Sequence, residues 1–363
     1  MNRNAAIDVS RALAVILVTL FHVSRGPSLP VYQVGDFNLF GFMANGWVGV
    51  GIFFIISGYC MGMSTERDFS GGMTLSNYTR YSFKRMLRII PPYYISIAIW
   101  VLIIDVYHIA PKPTELRDII THVTFSHNLF QDTFFSISGV FWSIGVEMQF
   151  YLLLPFIILL CRGTISFLMV LLVCLSVSIA TYYSNLGIVY KWGLLNYLVL
   201  FVYGWGIYKY KSSLLYFINK TKAIYIATPA FLLLLSVNVD SGNQQKMYEM
   251  GIAIIYGVIM LKLNDVIPEE SRSKLLFVLL LIGQASFSIY LYNYIYHFVM
   301  PRTPSPFSIA FMFTGVLGFG VIMYLLVEVN TEKMRAKFFK KKRVPSGSSM
   351  DGNYSATVTD KSQ

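Results

Sequence analysis

Arg11 and His22 stand eleven residues apart, with the uncharged run ALAVILVTLF between them. On a helix rising 1.5 Å per residue that separation is roughly 16 Å along the axis, about half of the ~30 Å apolar thickness of a bilayer. A guanidinium able to hold phosphates at one face, and an imidazole near the other, would bracket a long, narrow substrate. The same residues also fit a plainer role, an arginine marking the cytoplasmic end of a span and a histidine bonded among its neighbours. Glu147 lies six residues past Phe141 in FWSIGVEMQFYLLLP, roughly 9 Å below the outer surface if a span opens there. A carboxylate at depth costs about 2.5–3.5 kcal/mol on insertion scales, so it needs a partner or a task. Ser143 is one turn away on the same face. His22, on a helix running outward, reaches a similar depth. This places a histidine and a carboxylate at one level, which suits a general base (His22) oriented by Glu147. A structural His–Glu pair is the alternative.

Arg85 and Arg88, in KRMLRIIPPYY, are three residues apart and share a helix face at the entrance of an apolar run. Two guanidiniums there can grip phosphates bidentately, or they can simply anchor the span. In FFIISGY, Ser57 and Gly58 would let a neighbouring helix or a ligand come close. Late in the chain SFSIYLYNYIYH carries Ser286, Ser288, Tyr290, Asn293 and His297 toward the outer side, where tyrosines also serve as interfacial anchors. Glu328 ends the last apolar run, where a basic loop residue is its expected partner.

These residues must be positioned by membrane helices. The chain has 363 residues, 55% hydrophobic and only 13% charged, against about 25% charged in a soluble domain. The net charge of +11 lies between apolar runs and at the tail, where it sets topology and meets anionic lipid, so nucleic acid is not the expected partner. Ten spans are expected, over 6–24, 39–62, 88–108, 141–161, 164–182, 191–209, 222–238, 248–264, 275–298 and 307–328. With both termini cytoplasmic, 23 basic residues lie inside and 6 outside, which is the expected bias. The fold class is therefore all-α, a polytopic helical bundle: a transmembrane domain over 1–330, then a basic and disordered cytoplasmic tail over 331–363. Residues 109–140 form the longest external segment, with His122 and His127 in it and room for short helices. Cys60, Cys161 and Cys174 read as packed free thiols, and no His/Cys/carboxylate set has metal-ligand spacing.

Taken together, Arg-x10-His (Arg11, His22), FFIISG, Arg-x-x-Arg (Arg85, Arg88), WSIGVE with QFYLLLP (Trp142–Pro155) and SFSIYLYN resemble the membrane-bound acyltransferase-3 family of carbohydrate O-acyltransferases, over Arg11 to about Glu328. The resemblance implies transfer of an acyl group, usually acetyl from cytoplasmic acetyl-CoA, to a hydroxyl of a glycan such as O-antigen or exopolysaccharide, with no metal, in a bacterial inner membrane. It makes His22 the essential histidine, puts Arg11, Arg85 and Arg88 on the donor side and matches Glu147 to the family's acidic position. Asn293 departs from the family, where many members place a histidine.

The expected site then has His22 and Glu147 as catalytic residues. Arg11, Arg85, Arg88, Ser57 and Gly58 hold acyl-CoA, and Trp142, Ser143, Tyr290 and Asn293 face the glycan acceptor. The rival is a proton-coupled transporter or flippase in which His22 and Glu147 relay protons. It predicts broken helices in paired repeats, and it gives Arg85 and Arg88 no task.

Overall fold

The computed structural model describes residues 4–24, 33–34, 37–38, 40–184, 186–237, 239, 244–267, 273–299 and 305–339. Helix α1 spans Ala5–Val23, started by the Asn4 side chain, which accepts the Ile7 N–H at 3.1 Å. Asp8 in its first turn suits the positive end of the helix dipole. A short antiparallel pair, Gln33–Val34 with Phe37–Asn38, follows. Then come α2 (Gly49–Asp68), α3 (Leu75–Val101), α4 (Leu116–Val123), α5 (Trp142–Leu160), α6 (Thr164–Tyr183) and α7 (Leu194–Lys209). The rest are α8 (Lys211–Thr221), α9 (Ile224–Leu235), α10 (Gln244–Val266), α11 (Lys274–Gln284), α12 (Ser286–Tyr292), α13 (Pro306–Met323) and α14 (Val329–Phe339).

Among the described residues six helices are long and apolar enough to cross a membrane, and α11 with α12, bent by 60° at Ala285, makes a seventh if counted as one span, against the ten expected. The expected sixth and seventh spans form helices of 16 and 12 residues, and the eighth, α10, carries Lys246, Glu249, Lys262 and Asp265. Arg3, Arg25, Arg272, Arg302, the side chain of His297 and the tail beyond Phe339 lie outside the described residues. Residues 331–339 continue as helix α14.

Burial orders the bundle. In α2, 78% of the apolar window is buried inside the protein, against 22% in α6, so α2 is the central post and α6 faces outward with Leu168, Met169, Leu172 and Val173 exposed. Lipid, not water, suits such a face. What holds α2 in register is a glycine crossing with α7. A Cβ on Gly58 would strike the Phe201 carbonyl, and one on Gly204 would strike the Ile55 carbonyl. Each helix thus leaves room for the other's backbone, as small residues do in membrane helix pairs.

Helix α3 begins at Leu75, well before the expected span, with Thr74 accepting the Asn77 N–H at 3.2 Å. Arg85 and Arg88 therefore sit inside a continuous helix. Residues 109–141 fold into α4 and a turn of 3-10 helix at His127–Leu129, as the short-helix expectation had it. Asp118 caps α4 by accepting the Glu115 N–H at 3.0 Å.

Candidate functional site

Helices α1, α2, α3, α5 and α12 enclose a cavity with about 90 Å³ open to the centre of a water molecule. Of the expected site residues, Arg11, Arg88, Ser57, Glu147, Ser143 and Tyr290 line it, together with Cys60 and Tyr151. Phe53, Ile56, Met61 and Ile89 supply apolar wall.

Glu147 is the hub of its polar part. Ser57 Oγ and Tyr151 OH both donate to Glu147 Oε1, and those two hydroxyls are 2.8 Å from each other. Helix periodicity explains half of this, since Tyr151 is four residues past Glu147 and stacks on the same face of α5. The crossing of α2 with α7 explains the rest. With Gly58 turned to α7, its neighbour Ser57 is left facing α5. At the other end of the cavity Ser143 Oγ and Tyr290 OH are 2.7 Å apart, and Tyr290 OH also donates to the Val140 carbonyl at 3.1 Å. Arg11 reaches Asp8 at 3.5 Å and donates to Cys60 Sγ at 3.4 Å. Arg88 interacts electrostatically with Tyr151, Cys60, Glu332 and Glu328. The cavity thus grades from cationic, through a carboxylate carrying two hydroxyls, to a neutral hydroxyl pair.

Several expectations change. No hydrogen bond joins His22 to Glu147 among the described residues: Glu147 is held by Ser57 and Tyr151, and the His22 ring packs edge-on to Tyr294 at 5.3 Å and to Phe21 at 5.2 Å. Counted along their helices, the two residues are at different depths, because α1 carries His22 to its last turn while Glu147 meets the middle of α2. Arg85 is buried away from the cavity, donating to Ser64 Oγ with its guanidinium 5.7 Å from the Tyr81 ring centroid. It ties α3 to α2. Gly58 is helix packing, not cavity lining. Trp142 is buried in an aromatic cluster, 4.9 Å from Trp192, 5.4 Å from Tyr197 and 6.3 Å from Phe54 between ring centroids.

Asn293 is fully buried, with neither amide atom hydrogen-bonded to a described residue, and it does not line the cavity. Glu328 accepts the Ser288 N–H at 3.0 Å and its hydroxyl at 2.5 Å, and the basic residue that acts on it is Arg88. Tyr151 and Cys60 line the cavity without having been placed in the expected site. Tyr151 was signalled by its i,i+4 spacing from Glu147. Cys60 carried no signal, because an apolar run hides which face holds a thiol.

The segment over 109–140 holds a separate histidine pair. His122 and His127 stack at 4.0 Å between centroids, 11° from parallel, with both residues fully buried. His122 Nδ1–H donates to the Asp118 carbonyl at 2.8 Å and His127 Nε2–H to the Phe141 carbonyl at 2.9 Å. Burial lowers the His122 pKa to about 4, against two backbone hydrogen bonds that raise it. His127 is pushed well below the ordinary value by burial first and by the charge of His122 second.

Fold and cavity define a helical integral membrane protein with an internal chamber lined by guanidiniums, a carboxylate and hydroxyls. The chain belongs to the acyltransferase-3 family: the family model, an acyltransferase domain, matches residues 4–327. The resemblance carried by the motifs therefore holds over nearly the whole chain. A putative acetyltransferase, ORF330, of Acidianus two-tailed virus is 25% identical over 301 residues, 80% of this chain and 83% of the relative. The peptidoglycan O-acetyltransferase OatA of Listeria monocytogenes is 27% identical over 160 residues, 41% of this chain and 23% of OatA. A putative membrane-bound transacylase, BcsY, of Komagataeibacter xylinus is 28% identical over 162 residues, 41% of this chain and 36% of BcsY. No solved structure gives a significant match.

Proposed function

We propose that this membrane acyltransferase moves an acyl group, acetyl in the first instance, from cytoplasmic acyl-CoA to a hydroxyl of a cell-surface glycan, in a bacterial inner membrane. One observation carries the reading. A single cavity gathers Arg11 and Arg88 with the Glu147–Ser57–Tyr151 cluster, and the sequence neighbours of those residues are the family's motifs. Two guanidiniums suit the phosphates of the donor, the apolar wall suits its uncharged arm, and Glu147 supplies a base within reach of the thioester. The names of the relatives, an O-acetyltransferase and a transacylase among them, support the same chemistry.

His22, the family's essential histidine by resemblance, stands outside this cavity. Tyr294, against which it packs, is one turn outward from Tyr290 of the cavity wall. His22 therefore meets the acceptor on its way in, while Arg11 and Arg88 hold the donor.

Donor binding tests the reading. Purified protein should bind acetyl-CoA and be competed by free CoA. Removing one charged phosphate contact costs about 1.5–3 kcal/mol, so Arg88→Ala should weaken binding roughly 10–100-fold. Arg85→Ala should leave binding nearly unchanged in the fraction that folds. A wild-type protein that binds neither acetyl-CoA nor CoA would remove the donor from the reading.

A further inference from the structure

The geometry points to Ser57 as the nucleophile that takes the acyl group first, held as a serine ester inside the cavity before it passes to the acceptor. This rests on the acyl-CoA reading above. A nucleophilic hydroxyl needs a base at hydrogen-bond distance and a fixed direction. Ser57 has both, since its Oγ donates to Glu147 Oε1 and the crossing of Gly58 with the Phe201 carbonyl stops α2 from sliding or turning. Tyr151 donates to the same carboxylate oxygen and steadies Glu147.

Tyr151 shares that base as a phenol, and Ser143 and Cys60 lack it. Ser143 Oγ donates to the Val140 carbonyl at 3.2 Å and meets the Tyr290 hydroxyl. Cys60 Sγ faces the Arg11 guanidinium at 3.4 Å. His22 is not a lining residue, so within the cavity the base adjacent to a primary hydroxyl is Glu147.

In the first step Ser57 gives its proton to Glu147, and Oγ attacks the thioester carbonyl carbon. The C–S bond breaks, an oxygen ester forms, and the departing thiolate takes the proton from Glu147 to leave as free thiol. In the second step the acceptor hydroxyl attacks the ester carbon and passes its proton to Glu147. Ser57 Oγ leaves and recovers that proton. The two halves use one base and need no further reactant.

The test is acyl-enzyme trapping in the full chain, purified and supplied with labelled acetyl-CoA and no acceptor. The expected result is a burst of about one free thiol per protein. Label should map to Ser57, survive neutral hydroxylamine as an oxygen ester and leave at alkaline pH. His22→Ala should still load Ser57 while losing transfer to glycan, and Ser57→Ala and Glu147→Gln should fail to load. Because Ser57→Ala can fail by misfolding, Ser57→Cys in a Cys60→Ser background is the companion, and its label should become labile to neutral hydroxylamine. Label on Cys60, Tyr151 or His22, or glycan acetylation with no trapped ester, overturns Ser57 and leaves the donor reading standing. Absence of both thiol release and acetyl-CoA binding overturns the donor reading, and Ser57 falls with it.

Discussion

Substituting Gly58→Ala asks whether the α2–α7 crossing positions the chemistry or merely fills space. The added methyl would meet the carbonyl oxygen and carbon of Phe201 and the backbone nitrogen of Trp205. All three are main chain, so no rotamer can move aside and the helices must separate. Overpacking of this kind costs about 1–3 kcal/mol, offset by up to ~1 kcal/mol from the better helix propensity of alanine. The net loss is about 1–2 kcal/mol, which lowers Tm by a few degrees for a protein of this size. Because Ser57 is the next residue, the shift also stretches its bond to Glu147, and acyl transfer should fall more than stability does. Gly71→Ala is the control, since nothing lies within 4 Å of a Cβ there. Thermal unfolding in detergent and initial transfer rates read both effects. Equal Tm and equal rate in the two variants would refute the reasoning.

Three more outcomes follow from the packing. The stacked His122 and His127 are native in the neutral state, with His122 titrating at about 4 against an ordinary 6.5, so their contribution is complete above pH 6.5 and is lost as pH falls toward 4. For His122 alone that is about 3 kcal/mol; protection from hydrogen exchange over 116–141, relative to the intrinsic rate at each pH, should fall from pH 7.5 to pH 5, and unchanged protection would count against it. Lys246 and Glu249 form a buried pair at 2.9 Å with both side chains 3% exposed. Lys246→Met should destabilise by about 3–5 kcal/mol and the double change Lys246→Met with Glu249→Leu by much less, which denaturation of both variants checks. Arg85→Ala should lower Tm by removing the tie to Ser64, and a drop in acetyl-CoA affinity at unchanged Tm would instead return Arg85 to the donor site.

The parts of the site legible in the sequence were those written into local spacing. Arg88, Ser57, Glu147, Ser143 and Tyr290 were each singled out, and the cavity gathers them. Which of two adjacent candidates faces inward was not legible. Arg85 and Arg88, or Ser57 and Gly58, differ by helical angle alone, and that angle is fixed by partners on α2, α5 and α7. The expected His22–Glu147 contact is not formed because the ends of apolar runs do not set depth: Glu147 meets Ser57 at the middle of α2, whereas His22 lies in the last turn of α1. The six or seven long apolar helices among the described residues differ from the ten expected for a related reason. Short helices such as α9, and a break at Ala285, leave the hydropathy of a run unchanged.

Transfer across the membrane tests the central claim most directly. Inside-out vesicles holding wild-type, His22→Ala or Glu147→Gln protein at equal levels would receive labelled acetyl-CoA, with native glycan acceptor in the lumen. The account predicts label in glycan with wild type, and rates lower by about 10²–10⁴-fold, the usual worth of a general base, with Glu147→Gln. It predicts loss of transfer with His22→Ala while acetyl-CoA binding is kept. Full transfer by Glu147→Gln would contradict it, because the carboxylate at the centre of the cavity would then be dispensable.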